Sequence, residues 1–210
     1  MFTVGPVQEN CFLARADGCD RAVIVDPGEE APRLLHAIES RGLTLEAILL
    51  THTHFDHVGA VAPLARATGA PVYCPKLEVP VLQDIMAFVP WPGFGPFESW
   101  DPEHTVAGGE TLQLANMTID VRFTPGHSPG HVTYAIAGEH AVFSGDVLFA
   151  GSIGRTDLPG GDHAAMLRSL AGKLLPLADD VVVLPGHGEQ TSIGRERATN
   201  PYLQDLTQDL

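Results

Sequence analysis

Four times along this 210-residue chain an expected strand stops just before a residue that can bind a metal. Ala47-Ile48-Leu49-Leu50 runs directly into Thr51-His52-Thr53-His54-Phe55-Asp56-His57. Met117 to Phe123 ends in Thr124-Pro125-Gly126-His127, and His140 to Phe143 ends in Ser144-Gly145-Asp146. Val181 to Leu184 ends in Pro185-Gly186-His187-Gly188. A short apolar run such as 47–50 is a buried strand, and apolar–polar alternation such as that of 117–123 is a half-buried one. In open α/β architectures ligands gather outside the carboxyl ends of such strands, and glycine permits the close backbone approach that a crowded site needs. Any one of the later segments could be a turn with an incidental His or Asp. Together they require a fold that brings four strand ends to one place. The donors are imidazole and carboxylate without thiolate, a set that suits zinc, iron or manganese.

The intervening sequence supplies the rest of a layered fold. Cys11 to Ala14 and Ala22 to Val25 are expected strands, with Asp26-Pro27-Gly28 as a turn. Leu34, Leu35 and Ile38 predict a helix from about Glu30 to Arg41, stopped by Gly42. Val58, Val61, Leu64 and Ala65 predict a second helix, and Pro71 to Cys74 resumes as strand. The second half opens with Thr111 to Leu114 and Met117 to Phe123, turning near Asn116. His131 to Ala137 and His140 to Phe143 follow as strands, then a helix from about Ala164 to Leu175 and the strand Val181 to Leu184. Two similar halves, approximately 1–105 and 106–210 of a single domain, would bury this surface as a four-layer αβ/βα sandwich. The stretch 88–100 holds both tryptophans among prolines and glycines and must be an irregular loop. Such a loop could line a substrate pocket, form a homodimer contact, or be pinned by its own aromatics.

Charge narrows the partners. A net charge of −14 argues against nucleic acid, whose binding leans on clustered Lys and Arg, and against an anionic membrane surface. No apolar stretch approaches a membrane span, and the N-terminal residues lack the pattern of a secretion signal. Cys11, Cys19 and Cys74 show no metal-ligand spacing and are expected to be reduced thiols. The expectation is a cytoplasmic protein acting on a small molecule.

The residues His52-Thr53-His54-Phe55-Asp56-His57, His127, Asp146 and His187 resemble, in order and spacing, the metal-binding pattern of the metallo-β-lactamase superfamily. Thr124 to His131, Ser144 to Phe149, Ser152 to Asp157 and Thr199 to Leu203 resemble its glyoxalase II-like (hydroxyacylglutathione hydrolase-like) branch, in a short bacterial form. The resemblance implies two divalent metal ions, zinc in the first instance. His52, His54 and His127 would hold one, Asp56, His57 and His187 the other, and Asp146 would bridge them. It implies a hydrolase that uses a metal-bridging hydroxide on a small thioester such as S-lactoylglutathione; Asp56 is a candidate for accepting or orienting the proton of the attacking water, or for ligation alone. Arg155 is a candidate for a substrate carboxylate, or for a salt bridge with Asp157 or Asp162. His131 is a candidate for orienting a ligand, or an ordinary strand residue. His36, His104, His140 and His163 are expected to face solvent. Glutathione-specific relatives carry a basic C-terminal extension, whereas the tail from Asn200 has no Lys or Arg and includes Asp205 and Asp209.

Two rivals bound this reading. A persulfide dioxygenase of the same superfamily would use one iron at positions matching His52, His127 and Asp146. A non-catalytic protein would hold its metal for structure, although structural zinc sites are closed and usually cysteine-rich. A β-lactamase role is disfavoured by the missing export pattern and by Asp146. RNA-processing members are typically larger, and the acidic charge argues against them.

Overall fold

A computed structural model describes residues 1–89, 91–138, 140–204 and 206. The first sheet has six strands in chain order: β1 (Phe2–Val4), β2 (Glu9–Ala14), β3 (Arg21–Val25), β4 (Thr44–Leu49), β5 (Val72–Pro75) and β6 (His104–Val106). The strands that follow are β7 (Thr111–Leu114), β8 (Met117–Phe123), β9 (Val132–Ile136), β10 (Ala141–Gly145), β11 (Leu148–Phe149), β12 (Ser152–Ile153), β13 (Val182–Pro185) and β14 (Thr191–Ser192). Of these, β11 and β12 form a small ribbon, and the others build a second six-stranded sheet ordered β14-β13-β10-β9-β8-β7. The boundary between the sheets falls just after Val106.

The central strands are apolar on both faces because both faces are covered. In β3, Val23 and Val25 point into the core between the sheets, while Ile24 points to the outer layer. In β4, Ala47 and Leu49 face the second sheet and Ile48 the outer layer. β3 to β6 run parallel, and parallel strands need crossover connections that place helices on the sheet. Those helices are α1 (Ala31–Glu39), α2 (Phe55–Val58) and α3 (Val61–Thr68), whose Leu34, Ile38, Val61 and Leu64 close the outer core. The helical stretch expected from Val58 is broken at Gly59, where an added Cβ would stand 2.4 Å from the Gly28 carbonyl oxygen.

The second half mirrors this. Met117, Ile119 and Val121 of β8 face the shared inter-sheet core, with Tyr134 and Phe143. Ala135, Val142 and Val183 face the other way, against Met166, Leu170 and Leu174. Two short helices, α4 (Val79–Gln83) and α5 (Ile85–Phe88), precede the aromatic loop. Helix α6 (His163–Ser169) is capped by the Asp162 carboxylate, which accepts from the Ala165 amide, and passes into a π turn over Leu170–Leu174. Helix α7 (Ile193–Thr199) closes the chain. Helix, sheet, sheet, helix is the expected four-layer αβ/βα sandwich. Among the described residues no helix is long and apolar enough to cross a membrane.

Candidate metal centre

The four strand ends meet. Donor atoms of His52, His54 and His127 lie within 4.8 Å of one another, and so do those of Asp56, His57 and His187. Asp146 stands between the two groups: its Oδ2 is 3.4 Å from His127 Nε2 and 3.6 Å from His187 Nε2, and its Oδ1 is 3.5 Å from His57 Nε2. The structure thus brings together all seven residues singled out from the sequence. Glycine makes the crowding feasible: a Cβ on Gly186 would fall 2.3 Å from Asp146 Oδ1 and 2.7 Å from His57 Cε1.

On three of the rings a hydrogen bond on the far side sets which nitrogen faces inward. Asp26 accepts the Thr51 amide at 2.7 Å and the Thr51 hydroxyl at 2.6 Å. Because that hydroxyl proton is committed to Asp26, the 3.0 Å contact of Thr51 Oγ1 with His52 Nδ1 is an N–H donated by the ring. His57 Nδ1 donates to Asp26 Oδ2 at 3.1 Å, and His127 Nδ1 donates to the Arg155 carbonyl at 2.8 Å. Each of these three histidines therefore turns Nε2 toward the centre. Such outer partners orient ligands and raise their basicity. Asp26 also lies within ligand distance of His52 and His57, but its oxygens are already taken by these donors.

The orphaned atoms show that the pocket fits metal. His52 Nε2, His57 Nε2 and Asp146 Oδ1 are buried with no hydrogen-bond partner. Buried polar atoms are ordinarily paired, since leaving one unpaired costs on the order of 1–3 kcal/mol. Three unpaired atoms facing one another across both groups are explained by cations that they would coordinate. Electrostatics separates the groups. Burial, then the neighbouring His127, pushes His54 down to about 4, and burial and His57 push His52 well below the ordinary imidazole range. Burial opposes charge on His57 and His187 as well, but the carboxylates win. Asp146, Asp56 and Asp26 raise His57, and the Asp56 hydrogen bond with Asp146 raises His187. Burial would raise Asp56, yet His57 and the bonded His187 hold it below the ordinary carboxylate range.

The remaining candidates resolve individually. His131 is fully buried just ahead of β9; its Nε2 accepts the Asp146 amide at 3.1 Å, and its Nδ1 meets Thr124 Oγ1 at 3.0 Å. Both nitrogens are occupied, so it orients Asp146 rather than ligating. Arg155 projects outward, and its guanidinium pairs with Asp157 at 2.7 and 2.8 Å. Only its backbone carbonyl serves the centre. His36, His104, His140 and His163 are exposed, with His140 paired to Asp180 at 2.9 Å. The aromatic loop packs on Phe55, beside ligand-type His54, through Phe94 and Phe97 at ring separations of 4.8 and 5.8 Å. A cavity of about 360 Å³, lined by Glu29, Gly59, Phe94 and Phe97 among others, opens beside it. Pro90, in this loop, and Asp205 and Asp209, in the acidic tail, lie outside the described residues.

Sequence reasoning missed Asp26, read only as a turn, and Glu9. Glu9 is 1% exposed, its carboxyl oxygens have no partner, and Oε1 lies 3.9 Å from His57 Nδ1. Burial pushes its carboxyl well above the usual range. Glu9 and Asn10 precede the apolar run Cys11 to Ala14 as ordinary polar residues, and nothing local marked Glu9 or Asp26.

Comparison with known proteins follows the same geometry. The family described as the metallo-beta-lactamase superfamily matches residues 4–187. A probable metallo-hydrolase, YqgX of Bacillus subtilis, is 40% identical over 209 residues, covering 97% of this chain and 96% of its own. The hydroxyacylglutathione hydrolase GloC of Haemophilus influenzae is 38% identical over 209 residues, covering 93% of each chain. Among solved structures, the BLEG-1 B3 metallo-beta-lactamase superposes with a TM-score of 0.91 at 42% identity, over 96% of this chain and 97% of that one. The di-iron-bound form of TTHA1623 gives 0.86 at 42% identity, over 96% and 98%. ETHE1 from Myxococcus xanthus gives 0.75 at 27% identity, over 93% and 79%.

Proposed function

Because the chain belongs to the metallo-beta-lactamase superfamily, whose members bind divalent metals and are mostly hydrolases, we propose that it is a two-metal hydrolase of the glyoxalase II-like branch acting on a small thioester. The observation that carries the two-metal part is that unpartnered donor atoms occur in both groups, His52 Nε2 in one and His57 Nε2 in the other, with Asp146 Oδ1 between them. Likeness to GloC supports a thioester, and the di-iron form of TTHA1623 supports a pair of ions. Zinc is the ion we propose, with iron or manganese compatible with the same donors.

Two divalent ions, when bound, supply a hydroxide at neutral pH and polarise a carbonyl group. The chain does the rest. His52 and His57 are fully buried, whereas His187, Asp56 and Asp146 keep side-chain exposures of 24%, 14% and 10%. Substrate therefore enters on the side of Asp56 and His187. Asp56, kept ionised beside His187, accepts and orients the proton of the attacking water. A thiol with a pKa of about 8.5 departs as thiolate without a strong general acid. The exposed Arg155 guanidinium pairs with Asp157, which does not single it out as a grip for a glutathione carboxylate. The reading is thus a thioester with its thiol unspecified.

Likeness to ETHE1 favours one rival, persulfide oxidation at a single iron held by His52, His127 and Asp146. Likeness to BLEG-1 adds β-lactams to the substrates to be tried. The deciding experiment is metal content of purified protein together with turnover of S-lactoylglutathione, a β-lactam and glutathione persulfide under air. About two metals per chain, thioester hydrolysis and no oxygen uptake are expected. One iron with oxygen consumed on persulfide would make the oxygenase reading correct instead.

A further inference from the structure

Two buried polar side chains outside the seven-residue set grip the loops that carry it, one for each group. Glu78 lies in the 3₁₀ turn Lys76–Glu78 after β5 and is 3% exposed. Its Oε2 accepts the Thr53 hydroxyl at 2.9 Å, and its Oε1 accepts the Ser128 hydroxyl at 2.7 Å and the Gly130 amide at 2.6 Å. Thr53 stands between His52 and His54, and Ser128 adjoins His127. One carboxylate thus ties together the segments bearing all three histidines of the first group. The fit is close, since a Cβ on Gly130 would fall 2.7 Å from Glu78 Cγ.

Asn10, at the start of β2 and 2% exposed, does the equivalent for the second group. Its Nδ2 donates to the Pro185 carbonyl at 3.1 Å and the Gly188 carbonyl at 2.9 Å, one on each side of Gly186-His187. Its backbone amide donates to the Gly186 carbonyl at 2.7 Å, and its Oδ1 accepts the Thr3 hydroxyl at 3.0 Å. A lone bridge between Glu9 and His187 continues the contact. The loop that presents His187 from the second half is therefore hung on a side chain from the first.

Resting on the two-metal reading above, we propose that Glu78 and Asn10 are positioning residues that set the two metal affinities separately: Glu78 for the site of His52, His54 and His127, and Asn10 for the site of Asp56, His57 and His187. The physical basis is that a ligand held in its bound geometry before the ion arrives loses less freedom when it binds, and outer partners commonly carry about 10–100-fold in metal affinity. Neither residue can ligate, because its polar side-chain atoms are spent on the loops.

The test is stepwise Zn²⁺ binding to metal-free full-length protein by chelator competition, comparing wild type with Glu78→Gln and Asn10→Ser, and with Glu78→Ala and Asn10→Ala as stronger versions. Co²⁺ absorption assigns the steps: three imidazoles and a carboxylate form the first site, two imidazoles and two carboxylates the second. The milder pair retains most of the side-chain volume at Glu78 and some hydrogen bonding at Asn10, and far-UV circular dichroism confirms that each variant is folded. The expected result is crossed. Glu78 variants lose about 10–100-fold at the first site with the second unchanged, and Asn10 variants do the reverse. Two zinc ions in wild type with both sites weakened equally in each variant, or with neither affected, overturns the proposal alone. A wild-type chain that takes up only one ion overturns the two-metal reading and the proposal with it.

Discussion

At Asp26 one carboxylate takes three hydrogen bonds, from the Thr51 amide, the Thr51 hydroxyl and His57 Nδ1. Through Thr51 it also sets the tautomer of His52, so a residue that ligates nothing decides which nitrogen two ligand-type histidines present. Asp26 adopts a φ of 48°, in the left-handed region that costs a non-glycine residue energy. Its three bonds repay that strain. Replacing it with Asn keeps the shape but puts an amide N–H₂ where one of the acceptors stood. Asp26→Asn is expected to weaken metal binding about 10–100-fold with little change in backbone structure, measurable by equilibrium dialysis and circular dichroism. None of this was visible in the string Asp26-Pro27-Gly28, where turn chemistry is the whole local signal. His52, His54, Asp56 and His57, by contrast, stood out because four donors in six positions have no ordinary structural explanation.

At the scale of elements, legibility followed burial. β3 and β4 were readable because both of their faces are covered and they end in the apolar runs Ala22 to Val25 and Ala47 to Leu49. β1, β6 and β14 were not, because runs of two or three residues become strands only by pairing with a neighbour already in place. Helix α3 carries the outer core through Leu64, which is fully buried. Leu64→Ala should cost about 2–5 kcal/mol in denaturant unfolding, with metal stoichiometry unchanged in the folded protein. The loops at the strand ends carry a pH signature. In metal-free protein His52 and His54 are held neutral, His54 down to about 4, while His57 and His187 are raised by the carboxylates facing them. A metal thus meets less competition from protons at the former pair than at the latter. Lowering the pH from about 8 to 6 should therefore weaken the second site by up to roughly tenfold per pH unit per displaced proton, and the first far less. Zinc titrations at the two pH values, with proton release followed by calorimetry in buffers of different ionisation enthalpy, measure this; equal weakening at both sites would sink it.

For the whole molecule, the centre is a joint between two sheets. His52, His54, Asp56 and His57 come from the first half, and His127, Asp146 and His187 from the second. Ions held there would cross-link the halves and so favour the folded chain. An ion at about 100 times its Kd adds about 2.7 kcal/mol of stability. Removing metal by chelation should lower the melting temperature by several degrees, and adding zinc back should restore it, as followed by differential scanning calorimetry. An identical melting temperature with and without metal would mean that the centre contributes nothing to holding the sheets together.

Read as a string, the chain already specified the layered α/β class, the strand ends that carry donors, and the identities of the seven residues that meet. It could do so because apolar periodicity and chemically unusual clusters are local patterns, written in consecutive residues. It took the folded chain to bring Asp26 and His131 onto the ligand-type residues, to place Glu78 and Asn10 on the loops that carry them, and to pair the Arg155 guanidinium with Asp157. Those assignments depend on contacts such as Asn10 with Gly188 or Glu78 with Ser128, between residues far apart in the chain. A buried polar side chain is indistinguishable in sequence from an exposed one until the fold has chosen what surrounds it, and it is the loss of water there that obliges it to find a partner.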